Sequence, residues 1–345
     1  MRKIISILTL VMVTLFGNTL CLSQESNELS ARLIKIKEFN NRDEYDNYVK
    51  SNKEEVKIYK NNTKYIDVFT GEIKEGKVYY KYPNNSFRIA VPRGEPGQGC
   101  PGIYDFYDDK GNLLSHNEVF DFDGNSEFAF SENDEYILIS IGFYGKGGIA
   151  LFTKGGKLLW KEIKEDWYPQ SNYFIEDNKR IIVASPKGMK NSGIYCYSIE
   201  GKQIWYYPDG ANPVIFSSDG KDLACLTFAE DNYTIIHIIN INSGKLVNKV
   251  FLPINYKFYP SDKRVKSTLI INRKDYIIYK DAGSSIYPGK EESKSIYLFD
   301  KKKGDIIWKK EKVPLSEDID VDLDEEEQFI VEENKKITIY KIKGD

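Results

Sequence analysis

The most regular feature of the sequence is a repeated order of apolar and polar positions. In each copy, an apolar run of strand length leads through a polar turn to a glycine, a polar residue and a mostly apolar pair. Glycine accepts the positive φ that tight hairpins need, so each copy predicts two antiparallel strands joined near that glycine. The five copies are YDFYDDKGNLLS, IALFTKGGKLLWKE, IYCYSIEGKQIWYY, IHIININSGKLVNK and IYLFDKKKGDIIWKK, whose glycines Gly111, Gly156, Gly201, Gly244 and Gly304 are 45, 45, 43 and 60 residues apart.

A second apolar element recurs between these hairpins. It begins with an aromatic or aliphatic residue, turns through polar residues and continues in a run of β-branched and aromatic residues, which favour strands. Together the two elements predict four antiparallel strands in about every 45 residues, which is the repeat of a β-propeller blade. The copies of this second element begin at Phe130, Phe174 and Phe216, with looser copies at Tyr82, Ile271 and Leu323.

The repeat length sets the expected domain layout. Residues 63–345 divide into six units of about 47 residues, so we expect an all-β propeller domain of six four-stranded blades. Seven blades are the alternative, because RLIKIKEF and EVKIYKN could begin a degenerate first blade. The last copy stops after three strands, and Thr63–Phe69 is predicted to supply the fourth, which would remove an open edge. The charged residues 24–62 predict a partly helical segment ahead of the propeller.

Three tryptophans fall at the same point of their repeats, four residues after the hairpin glycine. They are Trp160, Trp205 and Trp308. A side chain that recurs at one position of several repeats is expected to serve the architecture rather than a ligand. We therefore predict that the indole covers the joint between neighbouring blades, where it can still offer its N–H to a partner.

Three segments carry a resemblance to the quinoprotein-like and WD-like β-propeller superfamily. Leu298–Trp308, LFDKKKGDIIW, resembles the segment that closes blades in pyrroloquinoline-quinone-type repeats. Phe216–Leu226, FSSDGKDLACL, resembles the turn of WD-like and TolB-like blades, and Asn240–Val250 resembles the turn between the third and fourth strands of WD-like repeats. The resemblance covers about residues 64–345 and implies the fold. It does not extend to oxidoreduction, because none of the quinone ligands can be matched and no cofactor is expected.

The amino-terminal segment predicts a location outside the cytoplasm. Arg2 and Lys3 precede an uncharged, mostly apolar run from Ile4 to Phe16, which is the order of a secretory signal peptide. We predict cleavage after Ser23, so that residues 1–23 are removed and the protein is secreted or periplasmic. Lipid attachment at Cys21 is the less favoured alternative, because Leu20 is bulky for the position before a lipidated cysteine. No later segment is long and apolar enough to predict an integral membrane span.

Composition excludes several classes of protein and site. The net charge of −3 lacks the basic excess of a nucleic-acid-binding protein, so no nucleic acid partner is expected. Two histidines and four cysteines leave little material for a metal centre, and none is predicted. After signal removal three cysteines remain, and burial as small apolar residues is favoured over a disulfide. The pairing of Cys100, Cys196 and Cys225 stays open.

The best functional clue is a set of glycine-rich stretches that occupy one position in successive repeats. The stretches are Val91–Gly102, Gly142–Gly148, Ser185–Gly193 and Lys280–Lys294. Long loops at one blade position emerge on one rim, where binding is expected. Their basic and aromatic residues suggest an anionic or carbohydrate-like ligand, although such lysines also serve solubility alone. The candidate ligand-binding residues are Arg93, Tyr144, Lys146, Lys187, Lys190, Tyr287 and Lys290.

Catalytic motifs are weak by comparison. No nucleophile elbow or zinc-protease motif is present; His116 is assigned to a turn and His237 to a strand, both without a catalytic role. Asp121–Glu127 superficially resembles a calcium loop, but a polar turn is the favoured interpretation. We expect a non-catalytic extracytoplasmic protein that binds a protein or glycan through the rim. The alternative is a carbohydrate-active hydrolase or lyase that uses Asp121, Asp123 and the alternating acids Asp318–Asp324.

Overall fold

The structure is a computed structural model, and the part of the chain that it describes is given by sixteen ranges. These are residues 32–52, 64–65, 72–74, 77–81, 87–92, 100–108, 110–143, 145–175, 178–186, 188–209, 214–228, 233–255, 269–281, 293–314, 316–324 and 326–343. The predicted signal segment 1–23 lies outside these residues. The chain divides into two compact units, which are described separately.

The larger unit contains three antiparallel sheets built from consecutive strands. Its first sheet has the order β10-β9-β8-β7-β6-β5-β4-β3 with β2 paired to β7, its second β11-β12-β13-β14 and its third β15-β16-β17-β18. The strands are β2 (Lys64–Tyr65), β3 (Glu72–Lys74), β4 (Lys77–Lys81), β5 (Phe87–Pro92), β6 (Cys100–Asp108), β7 (Leu113–Phe130), β8 (Tyr136–Phe143), β9 (Lys146–Thr153), β10 (Leu158–Glu165), β11 (Ser171–Ile175), β12 (Arg180–Ser185), β13 (Gly193–Ser198), β14 (Gln203–Tyr207), β15 (Val214–Phe216), β16 (Asp222–Phe228), β17 (Tyr233–Asn240) and β18 (Leu246–Asn255).

The smaller unit contains two four-stranded antiparallel sheets and one helix. Its sheets have the orders β19-β20-β21-β22 and β1-β25-β24-β23. Its elements are β1 (Leu33–Phe39), α1 (Arg42–Asn52), β19 (Leu269–Asn272), β20 (Tyr276–Asp281), β21 (Ser293–Asp300), β22 (Ile306–Pro314), β23 (Ile319–Leu323), β24 (Phe329–Glu333) and β25 (Lys336–Ile342). Repeated sheets of four antiparallel strands confirm the predicted all-β propeller fold. The number of blades stays a prediction.

The first large sheet differs from the expected separate blades because one long strand serves two of them. Strand β7 pairs with β6 through Leu113–Glu118 and again at Asp123 and Gly124, and with β8 through Asn125–Phe130. The backbone therefore passes from one four-stranded repeat to the next without a loop. Residues 121–127, interpreted from the sequence as a polar turn, lie within this strand. That interpretation was wrong because the strand pairs first on one side and then on the other, which local sequence does not reveal.

The strand that completes the last sheet is also different from the expected one. Strand β1 pairs antiparallel with β25 from Leu33↔Ile342 to Phe39↔Ile337. The predicted donor, Thr63–Phe69, was wrong: within it Lys64–Tyr65 pairs with Phe130 and Ala129 of β7 instead. The early segment 24–62 thus contributes a strand to a propeller sheet, and α1 confirms that this segment is partly helical. Asn41 and Glu44 cap the helix start, where the Asn41 side chain accepts from the Glu44 backbone N–H.

The hairpin glycines and the tryptophans behave as predicted. The indole of Trp160 donates to the Ile199 carbonyl at 2.8 Å, and a Cβ on Gly201, whose φ is +86°, would lie 2.7 Å from that indole. Trp205 repeats the arrangement one sheet later, since it donates to the Ile241 carbonyl at 2.8 Å and packs on Gly244. In the smaller unit Trp308 of β22 packs against Phe329 of β24 with ring centroids 5.1 Å apart. The tryptophans therefore join neighbouring sheets, which confirms their structural role.

The apolar faces of the sheets are buried within each unit. In the larger unit, Cys196 and Cys225 lie in one core cluster together with Trp205 and Val214. Both cysteines are buried, and burial raises the pKa of the Cys196 thiol to about 12, so it stays protonated and unreactive. This confirms the small-apolar interpretation for these two thiols, whereas the side chain of Cys100 lies outside the described part.

Candidate functional site

The predicted rim stretches occupy equivalent places in the sheets. Each one connects the second and third strands of its repeat, namely β5–β6, β8–β9, β12–β13 and β20–β21. Lys146 and Lys190 are the candidate residues that the structure describes. The other five candidates lie outside the described residues: Arg93, Tyr144, Lys187, Tyr287 and Lys290.

The lengths of these connections differ from the expectation of four long loops. Strand β8 ends at Phe143 and β9 begins at Lys146, so the strands are two residues apart and the prediction of a long loop was wrong there. Most glycines of this stretch belong to the two strands. At Gly147 a side chain would not fit, because the Trp167 carbonyl oxygen would lie 2.1 Å from an added Cβ. The β12–β13 connection leaves residues 186–192 between strands and is a loop as predicted.

A chain of backbone hydrogen bonds joins the β8–β9 turn to the β12–β13 loop. The Asp166 N–H donates to the Gly145 carbonyl at 2.8 Å, and the Asn191 N–H donates to the Asp166 carbonyl at 3.1 Å. The Asn191 side-chain amide also donates to the Glu165 carbonyl at 2.6 Å. The turn and the loop of adjacent sheets therefore lie side by side. We name this surface, residues 145, 165–166 and 188–192, the rim patch.

The two described candidate lysines have different surroundings. The Lys146 ammonium lies 2.9 Å from the Asp121 carboxylate and 5.1 Å from the centroid of the Phe122 ring. The Lys146 hydrogen bond holds the pKa of Asp121 below its ordinary value. Lys190 is exposed in the β12–β13 loop. Lys190 is thus directly available to an anionic ligand, whereas Lys146 already has a carboxylate partner.

A cleft of about 410 Å³ opens beside Lys146. It lies where β7 crosses between repeats, and β9 and β10 form its other side. Its lining combines both charge signs with an apolar surface, and Lys161 of β10 donates to the Val119 carbonyl at 2.8 Å. Such mixed lining suits a ligand with both apolar and polar groups. The lining residues are Glu118, Val119, Phe120, Asp121, Lys146, Lys161 and Ile163.

An aromatic cluster around Lys164, which the sequence analysis missed, lies next to the rim patch. The Lys164 ammonium lies 4.9, 4.0 and 5.9 Å from the ring centroids of Trp167, Tyr195 and Tyr197. The Tyr195 hydroxyl donates to the Asn191 carbonyl at 2.9 Å, which connects the cluster to the β12–β13 loop. Burial raises the pKa values of both tyrosines, so both phenols stay neutral. We name Trp167, Tyr195 and Tyr197 the aromatic cage.

The alternating acids of the smaller unit are engaged by cations. Ile319, Val321 and Leu323 are buried while Asp318, Asp320 and Asp322 are exposed, so β23 carries its acids on one face, as the period of a strand requires. Lys280 forms an ion pair with Asp320. The Arg273 guanidinium donates twice to the Leu323 carbonyl and lies 3.9 Å from Asp322. Asp320 and Asp322 thus lie opposite basic side chains of the neighbouring sheet.

One carboxyl group in the larger unit titrates near neutrality. Glu127 on β7 lies opposite Ser140 of β8 in the strand register, and burial raises the pKa of Glu127 to about 7. The neighbouring Ser140 hydroxyl accepts a hydrogen bond from the Asn172 amide at 2.6 Å. A carboxyl with such a pKa can transfer protons at neutral pH. No sequence pattern indicated this pKa, because it depends on burial between strands.

One of the two histidines lies in a different element from the one predicted, and the other lies where it was expected. His116 lies in β7 rather than in a turn, and its Nδ1 is 2.6 Å from the buried carboxylate of Asp105 on β6. His237 is buried in β17 as expected, with its Nδ1 2.7 Å from the Tyr207 hydroxyl. Among the described residues no group of three or more His, Cys, Asp or Glu side chains is arranged to hold a metal ion. No helix of the described chain has the length and apolar character needed to cross a membrane.

Comparison with known proteins adds little beyond the fold. No protein-family model matches the chain, and no curated protein matches it. A solved structure of the eukaryotic initiation factor is 12% identical, with a TM-score of 0.45 over 70% of this chain and 61% of that chain, less than two thirds of its length. The β-propeller domain of Myceliophteria thermophila Cps50 (Swd1) is 10% identical, with a TM-score of 0.37 over 81% of this chain and 100% of that one.

A third similar structure is the β-propeller domain of the Trilobed protease from Pyrococcus furiosus. It is 12% identical to this chain, with a TM-score of 0.37 over 61% of this chain and 67% of that one. The propeller fold rests on the repeated four-stranded antiparallel sheets and not on these similarities. Identities this low transfer no activity, ligand or partner to this chain.

Proposed function

We propose that the protein is a non-catalytic binding or scaffold protein that holds a protein or glycan ligand on the rim patch. The observation that carries the proposal is the hydrogen-bonded chain from Gly145 through Asp166 to Asn191. It sets a turn and a loop of adjacent sheets side by side and presents the exposed Lys190 from a fixed backbone. Binding residues on loops that a rigid scaffold positions are the common arrangement in such folds.

Lys190 is the cation that the rim patch offers to an anionic group on the ligand. The exposed Glu165 and Asp166 lie in the same patch, so its charged side chains carry both signs, and Lys146, which lies outside the patch, has Asp121 as its partner. A glycan or protein segment that carries an anionic group for Lys190 and hydroxyl or cationic groups for the two carboxylates would complement this surface.

The test compares two lysines at opposite ends of one strand. Lys190 precedes β13, and the exposed Lys202 follows it in the hairpin to β14. The full chain and its Lys190→Glu and Lys202→Glu variants are applied to an array of sulfated, uronic-acid and neutral glycans and to immobilised acidic peptides. We expect Lys190→Glu to lose most binding and Lys202→Glu to retain it. Equal binding by both variants would refute a ligand at the rim patch.

We also propose that the protein acts outside the cytoplasm. The support is the signal-like order of residues 1–23, with Arg2 and Lys3 ahead of the apolar run. Intact-mass measurement of the exported chain is expected to give a mature form beginning at Gln24. A chain that retains Met1 would refute the proposal, and a lipidated Cys21 would replace the soluble form with an anchored one.

A carbohydrate-active enzyme is the second candidate, and Glu127 is the observation that favours it. Its pKa of about 7 suits a general acid, whereas the pKa of Asp121, one of the acids first considered, is lowered by Lys146. Hydrolysis or elimination is measured on the glycans that the array identifies. The enzyme hypothesis requires Glu127→Gln to abolish turnover while binding persists; the scaffold proposal expects no turnover by the unmodified chain.

A further inference from the structure

The aromatic cage is a cation-binding site that the chain occupies with its own lysine. All three ring centroids lie within about 6 Å of the Lys164 ammonium, which is the range of an effective cation–π interaction. The rings are almost fully buried, with exposures of 1% for Trp167, 3% for Tyr195 and 0% for Tyr197. Burial excludes water from the ring faces, and this strengthens their attraction for a cation.

Two polar groups complete the cage. The Glu162 carboxylate lies 3.1 Å from the Lys164 ammonium, and the Tyr197 hydroxyl accepts a hydrogen bond from it at 3.2 Å. Three aromatic faces and one carboxylate are the groups that recognise a methylated ammonium ion. When the ion is quaternary, as in choline or betaine, it makes no N–H hydrogen bonds, so it needs ring faces and a counter-charge rather than acceptors.

Lys164 occupies the cage from its solvent side. Its side chain is 18% exposed and comes from β10, the edge strand of its sheet, while Tyr195 and Tyr197 belong to β13 of the next sheet. The long, flexible stem of lysine allows the ammonium to leave without moving a strand. Lysine also makes weaker use of the cage than a methylated ammonium, because its compact ammonium is strongly hydrated in water and regains that hydration when it leaves.

Trp167 provides an independent observation that this cluster is built for more than packing. Its indole N–H is buried and has no acceptor within the part of the chain that the structure describes. The indoles of Trp160 and Trp205 both donate to carbonyls at 2.8 Å. A buried donor without an acceptor is costly and calls for an explanation, and a ligand that supplies the missing partner is one.

We propose that Trp167, Tyr195, Tyr197 and Glu162 form a binding site for a small methylated ammonium compound of the choline or betaine class, and that Lys164 occupies this site until the ligand displaces it. Lys164 competes from within the chain at a high effective concentration, which keeps the affinity of the unmodified protein low. The site does not depend on the proposed rim ligand, and Lys190 takes no part in it.

The first test removes the competitor. Lys164→Ala empties the cage, whereas Lys164→Met keeps it filled with an apolar chain of similar length. Lys161→Ala is the matched control, because Lys161 lies on the same strand and its ammonium contacts the Val119 carbonyl instead of the rings. Binding of tetramethylammonium, choline and glycine betaine is measured by calorimetry and by tryptophan fluorescence. We expect Lys164→Ala to bind tetramethylammonium at least tenfold more tightly than the Lys161→Ala and Lys164→Met variants.

A second test uses the unmodified chain, so that it does not depend on the folding of a variant. Displacement exposes Lys164, and its reaction with an amine-acetylating reagent is expected to rise severalfold in the presence of tetramethylammonium while that of Lys161 stays constant. Tighter binding of glycine betaine than of tetramethylammonium would identify a carboxylate as the acceptor for the Trp167 N–H. Equal affinities of Lys164→Ala and Lys161→Ala, or unchanged acetylation of Lys164, would overturn the proposal.

Discussion

Two sets of tryptophans in the larger unit show how differently one side chain can be used. Trp160 and Trp205 lie on outer hairpin strands, donate to carbonyls of the next sheet and pack on the glycines of the following hairpin. Trp167 lies in the connection from β10 to β11, carries a cation on its ring face and leaves its N–H without an acceptor in the described chain. The first two belong to the repeat, and the third does not.

The difference teaches where function is to be sought in a repeated fold. An aromatic residue whose N–H is hydrogen-bonded and whose ring is packed against the next sheet contributes to the stability of the joint between the sheets. An aromatic residue that departs from the repeat, holds a cation and lacks a hydrogen-bond partner is a better candidate for ligand recognition. Four changes test this contrast, and the expected effects decrease from one to the next.

The largest effect is expected from Trp205→Ala. The exposed fraction of Trp205 is 8%, and its indole joins β14 to the β17–β18 hairpin, so truncation leaves a cavity and removes one of two donors to the Ile241 carbonyl, the other being Arg180. We expect a loss of about 3–5 kcal/mol in the free energy of unfolding, measured by urea denaturation. A loss below about 1 kcal/mol would contradict the role of this residue as a joint between sheets.

Gly201→Ala tests the other half of the joint. Gly201 has φ +86°, and an added Cβ would lie 2.7 Å from the Trp160 indole, so backbone strain and overlap act together. We expect destabilisation of about 1–3 kcal/mol. Gly155→Ala is the control, because an added Cβ there meets nothing within 4 Å. If both variants lose equal stability, the close approach of Gly201 to Trp160 is not the cause.

Replacing Trp205 or Trp167 by phenylalanine compares the loss of a hydrogen-bonded indole N–H with the loss of one that has no described acceptor. Trp205→Phe loses the indole hydrogen bond to the Ile241 carbonyl, which keeps Arg180 as a donor, whereas Trp167→Phe removes a buried donor that has no described acceptor. We expect Trp167→Phe to be less destabilising than Trp205→Phe by about 1 kcal/mol, the net value of one hydrogen bond. Equal losses by calorimetry would show that the Trp167 N–H is satisfied in solution.

The smallest effect concerns the repeat that has Ser115 where the next two have tryptophan. There His116 lies beside the buried Asp105, and this hydrogen bond raises the pKa of His116 above 6.5. A raised folded-state pKa stabilises the fold fully below pH 6.5, and this stabilisation disappears as the pH rises through the raised value. Glu118, 3.7 Å from Nε2, acts in the same direction.

His116→Gln is therefore expected to lower the urea midpoint at pH 5.5 and to change it less at pH 8.5. Trp160→Phe serves as the comparison, because the Trp160 joint contains no titratable partner for its indole and its effect should not depend on pH. A His116→Gln effect of the same size at both pH values would exclude the ion pair as its source.

Much of the fold could be predicted from the sequence. The glycine hairpins, the structural use of Trp160 and Trp205 and the alternation of buried and acidic residues in β23 follow from local turn chemistry and from the period of a strand. The candidate site was less accessible. The sequence indicated the β12–β13 loop and Lys190, but not the cage, although tyrosines at alternate positions of GIYCYS were visible.

What the sequence determined by itself is the repeating unit, because each hairpin is specified by residues that are neighbours along the chain. Only the tertiary structure decided that Leu33–Phe39 completes the last sheet, that β7 passes unbroken between two repeats and that Lys164 lies among three rings. Each of these depends on pairing between residues that are distant in sequence. Strand register and the choice of a partner strand are set by the combined burial of many such residues, which no local pattern records.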